Sequence, residues 1–344
     1  MDARIRALVV DDSAFARKVV REILQADGIE VVAIARDGLE ALEQIQLHQL
    51  DVVVLDLMMP NLDGLGVLRL LRDLDLASGP APRVVVVSVA EVDSALTVEA
   101  LQQGAVSAVR KPTALATARL YELKGDLVRA VREAALARSS LSGGSPTLAL
   151  APTLRPSRHR LVVIGTSTGG PQALTRLLAA LPAGFPVPIA IALHIPFGYT
   201  EELAKRLDRS SAIDVSEAEE GLRLRPGLAV LARGGQHLVL TNRVEPTVHL
   251  SSEPLTELHK PSVDTLFESA AACVGSGVLG VVLTGMGSDG LRGAHAIKAA
   301  GGRILTEAAS SCVVYGMPGV VKEAGLSDAE APLDDMARLI IAHL

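Results

Sequence analysis

Ser167 lies in Gly165-Thr166-Ser167-Thr168-Gly169, directly after the apolar run LVVI and before PQALTRLLAAL. The run reads as a buried strand and the segment after it as a helix. The serine therefore stands on a G-x-S-x-G turn, where glycines permit a sharp bend and the hydroxyl rises at the carboxyl end of a sheet. A serine hydroxyl is a poor nucleophile at its free pKa and needs a base. His194, just after IAIAL, can take that proton and return it to the leaving group. Asp289, in the glycine-rich turn after VLGVVLT, can fix the imidazole tautomer and stabilise its cation. The backbone N–H of Met286, on the same turn, can donate to an oxyanion. The chemistry implied is acyl transfer, although the chain order Ser, His, Asp differs from the Ser, acid, His order of α/β-hydrolases.

The turn has a second reading. Residues 285 to 290, GMGSDG, spell G-x-G-x-x-G between a strand and a helix, and Glu307 ends the next strand near the offset of a ribose-binding acid. Against a dinucleotide stands Asp289 itself, whose carboxylate would repel the pyrophosphate that a helix N-terminus attracts. Each residue alone also has a plainer role: Asp289 as a cap for the helix starting at Leu291, His194 as a structural histidine, Ser167 as a turn residue.

A second group of reactive types lies in the first third of the chain. Asp11 and Asp12 end a strand pattern, as do Asp56, Ser88 and Lys111 in turn. In a parallel sheet these ends share one edge, so the side chains should converge. A lone strand-end Asp is usually a cap or turn residue, but three carboxylates in one pocket call for a cation. Hard oxygen donors suit Mg²⁺, which keeps waters and accepts a phosphoryl oxygen. Lys111 would balance anionic charge and Ser88 would hydrogen-bond a phosphoryl group, which implies phosphoryl transfer onto Asp56.

The elements that must position these residues alternate strand and helix throughout. RALVV, VVAIA, DVVVLD, RVVVVSV and AVSAVR read as five buried strands separated by amphipathic helices, which points to a doubly wound parallel sheet. The stretch 134–158 is rich in Ser, Gly and Pro and reads as a linker, after which the α/β alternation resumes from Leu161. The fold class is thus α/β, with two doubly wound domains: 1–125, a helix end and linker over 126–158, and 159–344. A chain of 344 residues fits two domains, and its 49% hydrophobic content fills two cores with Ala, Val, Leu and Ile, since aromatics are only 2%. The net charge of -6 argues against a nucleic-acid partner. Cys273 and Cys312 show no metal or disulfide spacing and read as reduced thiols. The opening MDARIRALVV lacks an apolar signal region, and no apolar run is long enough to span a bilayer, so a cytoplasmic protein with no membrane insertion is expected.

VVDDS, LDLMMPNLDG, VVSV and VRKPT resemble the response-regulator receiver family over residues 1 to about 125. That resemblance implies that Asp56 is the phosphoacceptor, that Asp12, Asp56 and the Met58 carbonyl ligate Mg²⁺, and that Asp11 acts through water. The aromatic switch residue common three positions before the lysine is replaced by Ala108. GTSTGGP, LHIPFGYTEELAKRLDR, HKPSVDTLFESAA, GVVLTGMGSDG and EAASSCVVYGMP resemble the chemotaxis methylesterase family, CheB, over roughly residues 159 to 340. The resemblance implies Ser167 as nucleophile, His194 as base, Asp289 as orienting acid, and Thr168 with Met286 lining the oxyanion region. His259 resembles a further histidine near the active site. The implied substrate is a γ-glutamyl methyl ester on the helices of a methyl-accepting chemoreceptor, with deamidation of specific glutamines as a second activity. A histidine kinase would phosphorylate Asp56, and the esterase site would need no cofactor. LARGGQH (231–237) and Leu258 depart from the family's usual residues at the cleft rim.

Overall fold

The computed structural model describes residues 4–74, 80–88, 90–111, 123–137, 159–242 and 244–344. The chain falls into two compact units, Met1–Ser139 and Ser140–Leu344. The expected linker lies outside the described residues from 138 to 158, as do Pro112 and Thr113 of the VRKPT stretch.

In the first unit, β1 (Arg6–Val10), β2 (Glu30–Ala35), β3 (Val52–Asp56), β4 (Arg83–Ser88) and β5 (Ser107–Arg110) form one parallel sheet in the order β2-β1-β3-β4-β5. β3 is buried along its whole length, as expected of a strand covered on both faces. The interleaved helices are α1 (Ala14–Ala26), α2 (Gly38–Leu47), α3 (Gly64–Asp73), α4 (Ala90–Gln103) and α5 (Lys124–Leu136). Ser13, Asp37 and Asp63 cap the first three, each accepting from a backbone N–H in the first turn. Helix α5, most of which falls in the stretch read from sequence as helix end and linker, buries Leu127, Ala130, Val131 and Ala134 and packs on β3, β4 and β5, so it belongs to the first unit.

The second unit carries a seven-stranded parallel sheet in the order β14-β13-β12-β6-β7-β9-β8. Its strands are β6 (Leu161–Thr166), β7 (Ile189–Leu193), β8 (Asp214–Glu217), β9 (Leu228–Leu231), β12 (Val278–Val282), β13 (Arg303–Glu307) and β14 (Ala329–Ala331). β10 (His237–Thr241) and β11 (Thr247–Ser251) form a separate antiparallel hairpin. The helices are α6 (Gly170–Ala179), α7 (Thr200–Ser210), α8 (Val263–Val274), α9 (Leu291–Ala299), α10 (Met317–Glu323) and α11 (Leu333–His343). The chain winds one way from β6 through β7 and the other way from β12 through β13, so the order reverses between β6 and β12. Open α/β sheets bind ligands outside the carboxyl ends of the strands at such a reversal.

Helices α8 and α9 lie against each other with Gly293 at the crossing. A Cβ there would stand 2.4 Å from Phe267 Cβ and 3.2 Å from Asp264 Cα. Neither is the free end of a flexible side chain, so the helices would have to part. Gly293→Ala is expected to destabilise the second unit by about 1–3 kcal/mol, the usual cost of overpacking. Denaturant unfolding of the variant checks this; an unchanged midpoint would refute the close-packing account.

Candidate functional site

Ser167 follows β6, His194 follows β7 and Asp289 follows β12, so all three stand beside the reversal point. The turn after β6 holds a buried serine at close quarters with its neighbours. Gly169 has φ +81°, and a Cβ there would stand 2.6 Å from Val313 Cγ2. Gly285 lets the β12 turn come against the serine, since a Cβ on it would lie 2.8 Å from Ser167 Cβ. The His194 N–H donates to the Thr166 carbonyl at 3.1 Å, which sets the histidine beside the nucleophile turn.

The three side chains form a continuous relay. His194 Nδ1 lies 3.1 Å from Ser167 Oγ, and His194 Nε2 lies 2.7 Å from Asp289 Oδ2. A carboxylate can only accept, so Nε2 carries the proton and Nδ1 is left to accept from the serine. This is the reverse of the nitrogen assignment in chymotrypsin-type enzymes, where Nε2 faces the serine. The arrangement lets Nδ1 take the hydroxyl proton as Oγ attacks a carbonyl. His194 is thus within hydrogen-bonding reach of both Ser167 and Asp289.

Asp289 is held by four donors. Its Oδ1 accepts from Ser262 Oγ at 3.1 Å and Asp264 N–H at 2.7 Å, and its Oδ2 accepts from Val263 N–H at 2.8 Å as well as from His194. It thus occupies the N-terminus of α8, where the helix dipole favours a negative charge. Burial alone would raise its pKa, but the His194 bond and charge and these backbone donors hold it down to about 2. Asp264, in the first turn of α8, makes the reciprocal contact. Its Oδ1 accepts from Gly290 N–H at 2.9 Å and Gly293 N–H at 2.7 Å, at the N-terminus of α9. Burial, with the nearby Asp289 charge adding to it, raises Asp264 to about 6 against those bonds and Arg292.

This pairing answers the dinucleotide reading. The backbone donors at the start of α9 are occupied by a carboxylate of the same chain, and Asp289 lies beside them. Glu307, the candidate ribose ligand, is fully buried and accepts from Thr284 N–H at 2.8 Å and Ser311 Oγ at 2.8 Å. A pyrophosphate would find a filled anion site, and a ribose would find no acid to bond.

Thr168 is buried beside Ser167, and Met286 is half-buried on the facing turn. His259 stacks on His194, with ring centroids 4.0 Å apart and planes at 19°. His237, in the divergent LARGGQH stretch, is fully buried and accepts from Ser262 N–H at 3.2 Å through Nδ1. Burial pushes its pKa down, and the neutral ring supports the N-cap of α8. Leu258 is 77% exposed beside His259.

In the first unit, carboxylate oxygens of Asp11, Asp12 and Asp56 lie within 4.8 Å of one another. Lys111 Nζ contacts Asp11 Oδ2 at 2.6 Å and Asp56 Oδ2 at 2.7 Å. Burial, reinforced by Asp11, pushes the Asp56 carboxyl above its usual range despite Lys111. Three hard oxygen donors around a lysine suit a divalent cation such as Mg²⁺. Ser88 does not meet this group directly. Its hydroxyl pairs with Thr97 Oγ1 of α4 at 2.7 Å, a partner the sequence did not reveal. Met58 is exposed on the loop after β3, and Ala108 is buried in β5.

Sheet, acid cluster and relay together describe a receiver-type phosphoacceptor unit joined to an α/β unit with a serine-hydrolase constellation. Comparison with known proteins gives the same two parts. Residues 7–121 match the response regulator receiver domain and residues 162–340 match the CheB methylesterase family. The chain belongs to the CheB methylesterase family. It is 59% identical to "Protein-glutamate methylesterase/protein-glutamine glutaminase 5" of Myxococcus xanthus (strain DK1622), over 99% of this chain and 98% of that protein. It is 41% identical to "Protein-glutamate methylesterase/protein-glutamine glutaminase 1" of Oleidesulfovibrio alaskensis, over 98% of each. Among solved structures, the CheB methylesterase catalytic domain of Thermotoga maritima is similar at 38% identity and a TM-score of 0.53, covering 54% of this chain and 99% of that one.

The two carboxyls of the α8–α9 exchange act oppositely on stability. Asp289 is depressed from 3.8 to about 2, so its contribution is complete above the unfolded value and is lost as pH falls through that window. Asp264 is raised from 3.8 to about 6, so between those values the folded chain holds a proton the unfolded chain has released, and stability falls as pH rises. Asp264→Asn should remove that slope, which is at most about 1.4 kcal/mol per pH unit. Urea unfolding of both proteins from pH 4 to 6.5 measures the difference; identical slopes would sink the assignment.

Proposed function

We propose that this protein is a phosphorylation-regulated serine esterase of chemosensory adaptation. It hydrolyses γ-glutamyl methyl esters on the cytoplasmic helices of a methyl-accepting chemoreceptor, releasing methanol and leaving glutamate. The observation that carries the reading is the Ser167–His194–Asp289 relay at the sheet's reversal point, in a chain whose relatives bear the methylesterase name over their full length.

In this mechanism Ser167 Oγ attacks the ester carbonyl as His194 Nδ1 takes its proton. The imidazolium forms against Asp289, which stays ionised, and the same nitrogen returns the proton to the departing methanol. Thr168 and Met286 line the region where the carbonyl oxygen gains charge. Water then attacks the acyl-enzyme by the same route in reverse. The names of the relatives also support hydrolysis of glutamine side chains, in which ammonia replaces methanol as the leaving group.

Residues 1–125, completed by the rest of helix α5, act as the receiver and 159–344 as the catalytic domain. Asp56 is the phosphoacceptor for a histidine kinase. Asp11, Asp12, Asp56 and the Met58 carbonyl would hold Mg²⁺, which supplies charge neutralisation for the transferring phosphoryl group. Lys111 balances the same charge, and Ser88 turns from Thr97 to the phosphoryl oxygens. The unphosphorylated receiver restrains the esterase, and phosphate on Asp56, adding about -1.5 to -2 charge, relieves it. Among the described residues no helix is long and apolar enough to cross a membrane.

Ser167→Ala is expected to cut methanol release from methylated receptor by about 10³-fold or more. A variant that still releases methanol at the wild-type rate would end the esterase reading. In the full chain, a small-molecule phosphodonor should raise the rate, and Asp56→Asn should abolish that response while keeping the unstimulated rate. Stimulation that persists in Asp56→Asn would overturn the assignment of the phosphoacceptor.

A further inference from the structure

One buried acid stands behind the catalytic edge and takes no part in the relay. Glu307 ends β13 with its side chain fully buried. Its Oε2 accepts from Thr284 N–H at 2.8 Å and its Oε1 from Ser311 Oγ at 2.8 Å. Taking a carboxyl out of water is costly, and such a group is retained where its bonds hold something in place.

What it holds is Thr284, which ties the two catalytic turns together. The Thr284 carbonyl accepts from Ser167 N–H at 3.0 Å and from Thr166 Oγ1 at 2.8 Å. The Thr284 hydroxyl donates to the Thr168 carbonyl at 3.0 Å and accepts from Val314 N–H at 3.0 Å. The next residue, Gly285, donates to the Val314 carbonyl at 3.0 Å and begins the turn that carries Met286 and Asp289. Three hydrogen bonds from the nucleophile turn thus meet in this one threonine, beside the direct approach of Gly285 to Ser167. The Ser167 N–H is also committed to this threonine, whereas in chymotrypsin-type enzymes the nucleophile's own N–H serves the oxyanion. The placement of the Met286 turn relative to Ser167 then matters more.

We infer that Glu307 is a positioning residue for ester hydrolysis: through Thr284 it fixes the spacing between Ser167 and the turn bearing Met286 and Asp289. The inference rests on the esterase reading given above. A carboxylate is not required for its chemistry, only an acceptor for Thr284 N–H and a partner for Ser311. Glutamine can supply both, since its carbonyl oxygen accepts and its amide donates to the Ser311 hydroxyl. Alanine can supply neither and leaves the Thr284 N–H buried without its partner.

The test compares full-length Glu307→Ala, Glu307→Leu, Glu307→Gln and Thr284→Val with the wild type. kcat and KM for methanol release from methylated receptor are normalised to the folded fraction. The expected result for Glu307→Ala is a fall in kcat of about 10- to 100-fold, the scale of a sub-ångström to ångström misplacement, with KM within about twofold. Glu307→Gln should return kcat to within about threefold of wild type. If Glu307→Ala does not fold, Glu307→Leu carries the test, because it fills the same space and lacks only the acceptor; Thr284→Val, which keeps the N–H bond to Glu307 and removes the hydroxyl bonds, should also lose kcat with KM unchanged. A wild-type kcat in the variant that folds, a loss confined to KM, or a failure of Gln to rescue a folded Ala variant would overturn the inference. The esterase reading fails separately, when wild type releases no more methanol than Ser167→Ala. The rate at which a fluorophosphonate labels Ser167 then replaces kcat under the same criteria, since that reaction needs the serine and its base but no receptor.

Discussion

The exchange of carboxylates between two helix N-termini is the constraint on which the catalytic unit depends. Asp289, just before α9, accepts the first N–H groups of α8, and Asp264, inside α8, accepts N–H groups at the start of α9. Each helix end would otherwise leave donors unpaired in a buried place. Each acid would otherwise be a buried charge without a partner. Crossed in this way, both needs are met, and the helices can meet closely enough for Gly293 to lie against Phe267. The functional consequence is that the acid facing His194 is fixed by secondary structure rather than by a loop. Of its four donors, two are helix backbone and one is the α8 cap residue Ser262.

The sheet order does the rest. β6 and β12 are neighbours in space although 111 residues lie between Thr166 and Val278. Their two turns, one with Ser167 and one with Asp289, are therefore laid side by side, and β7 brings His194 to the other flank of β6. The same logic operates in the first unit, where β1 and β3 are adjacent and bring Asp11, Asp12 and Asp56 together. Both sites are products of parallel strands that end at one edge.

Most of this was legible in the sequence because the decisive residues directly follow apolar strand runs. Ser167, His194 and Asp289 could be placed on the edge of one sheet, and Asp56 and Lys111 on the edge of another, from the alternation alone. Asp264 could not. Ser262-Val263-Asp264 reads as an ordinary helix start, and the N–H groups that Asp264 accepts belong to residues 26 and 29 positions away. Thr97 was hidden for the same reason, since its partner Ser88 lies on a different element. Glu307 was legible as a strand-end acid but misleading in role. Any strand–turn–helix–strand unit puts a strand end near the ribose offset, and spacing does not say whether an acid there faces solvent or the core. The separate β10–β11 hairpin and the edge on which β8 and β9 sit depend on tertiary packing that periodicity does not encode.

The orientation of the His194 ring has a mechanical corollary. The nitrogen that meets the serine is the one nearer the main chain, and the nitrogen that meets the carboxylate is the outer one. Swinging the ring about its Cα–Cβ bond carries the outer atom through a longer arc than the inner one. The rigid clamp is thus fitted at the tip of the lever, where wandering would be greatest, and the proton-accepting atom rides near the pivot, steadied by the backbone bond of residue 194 to Thr166.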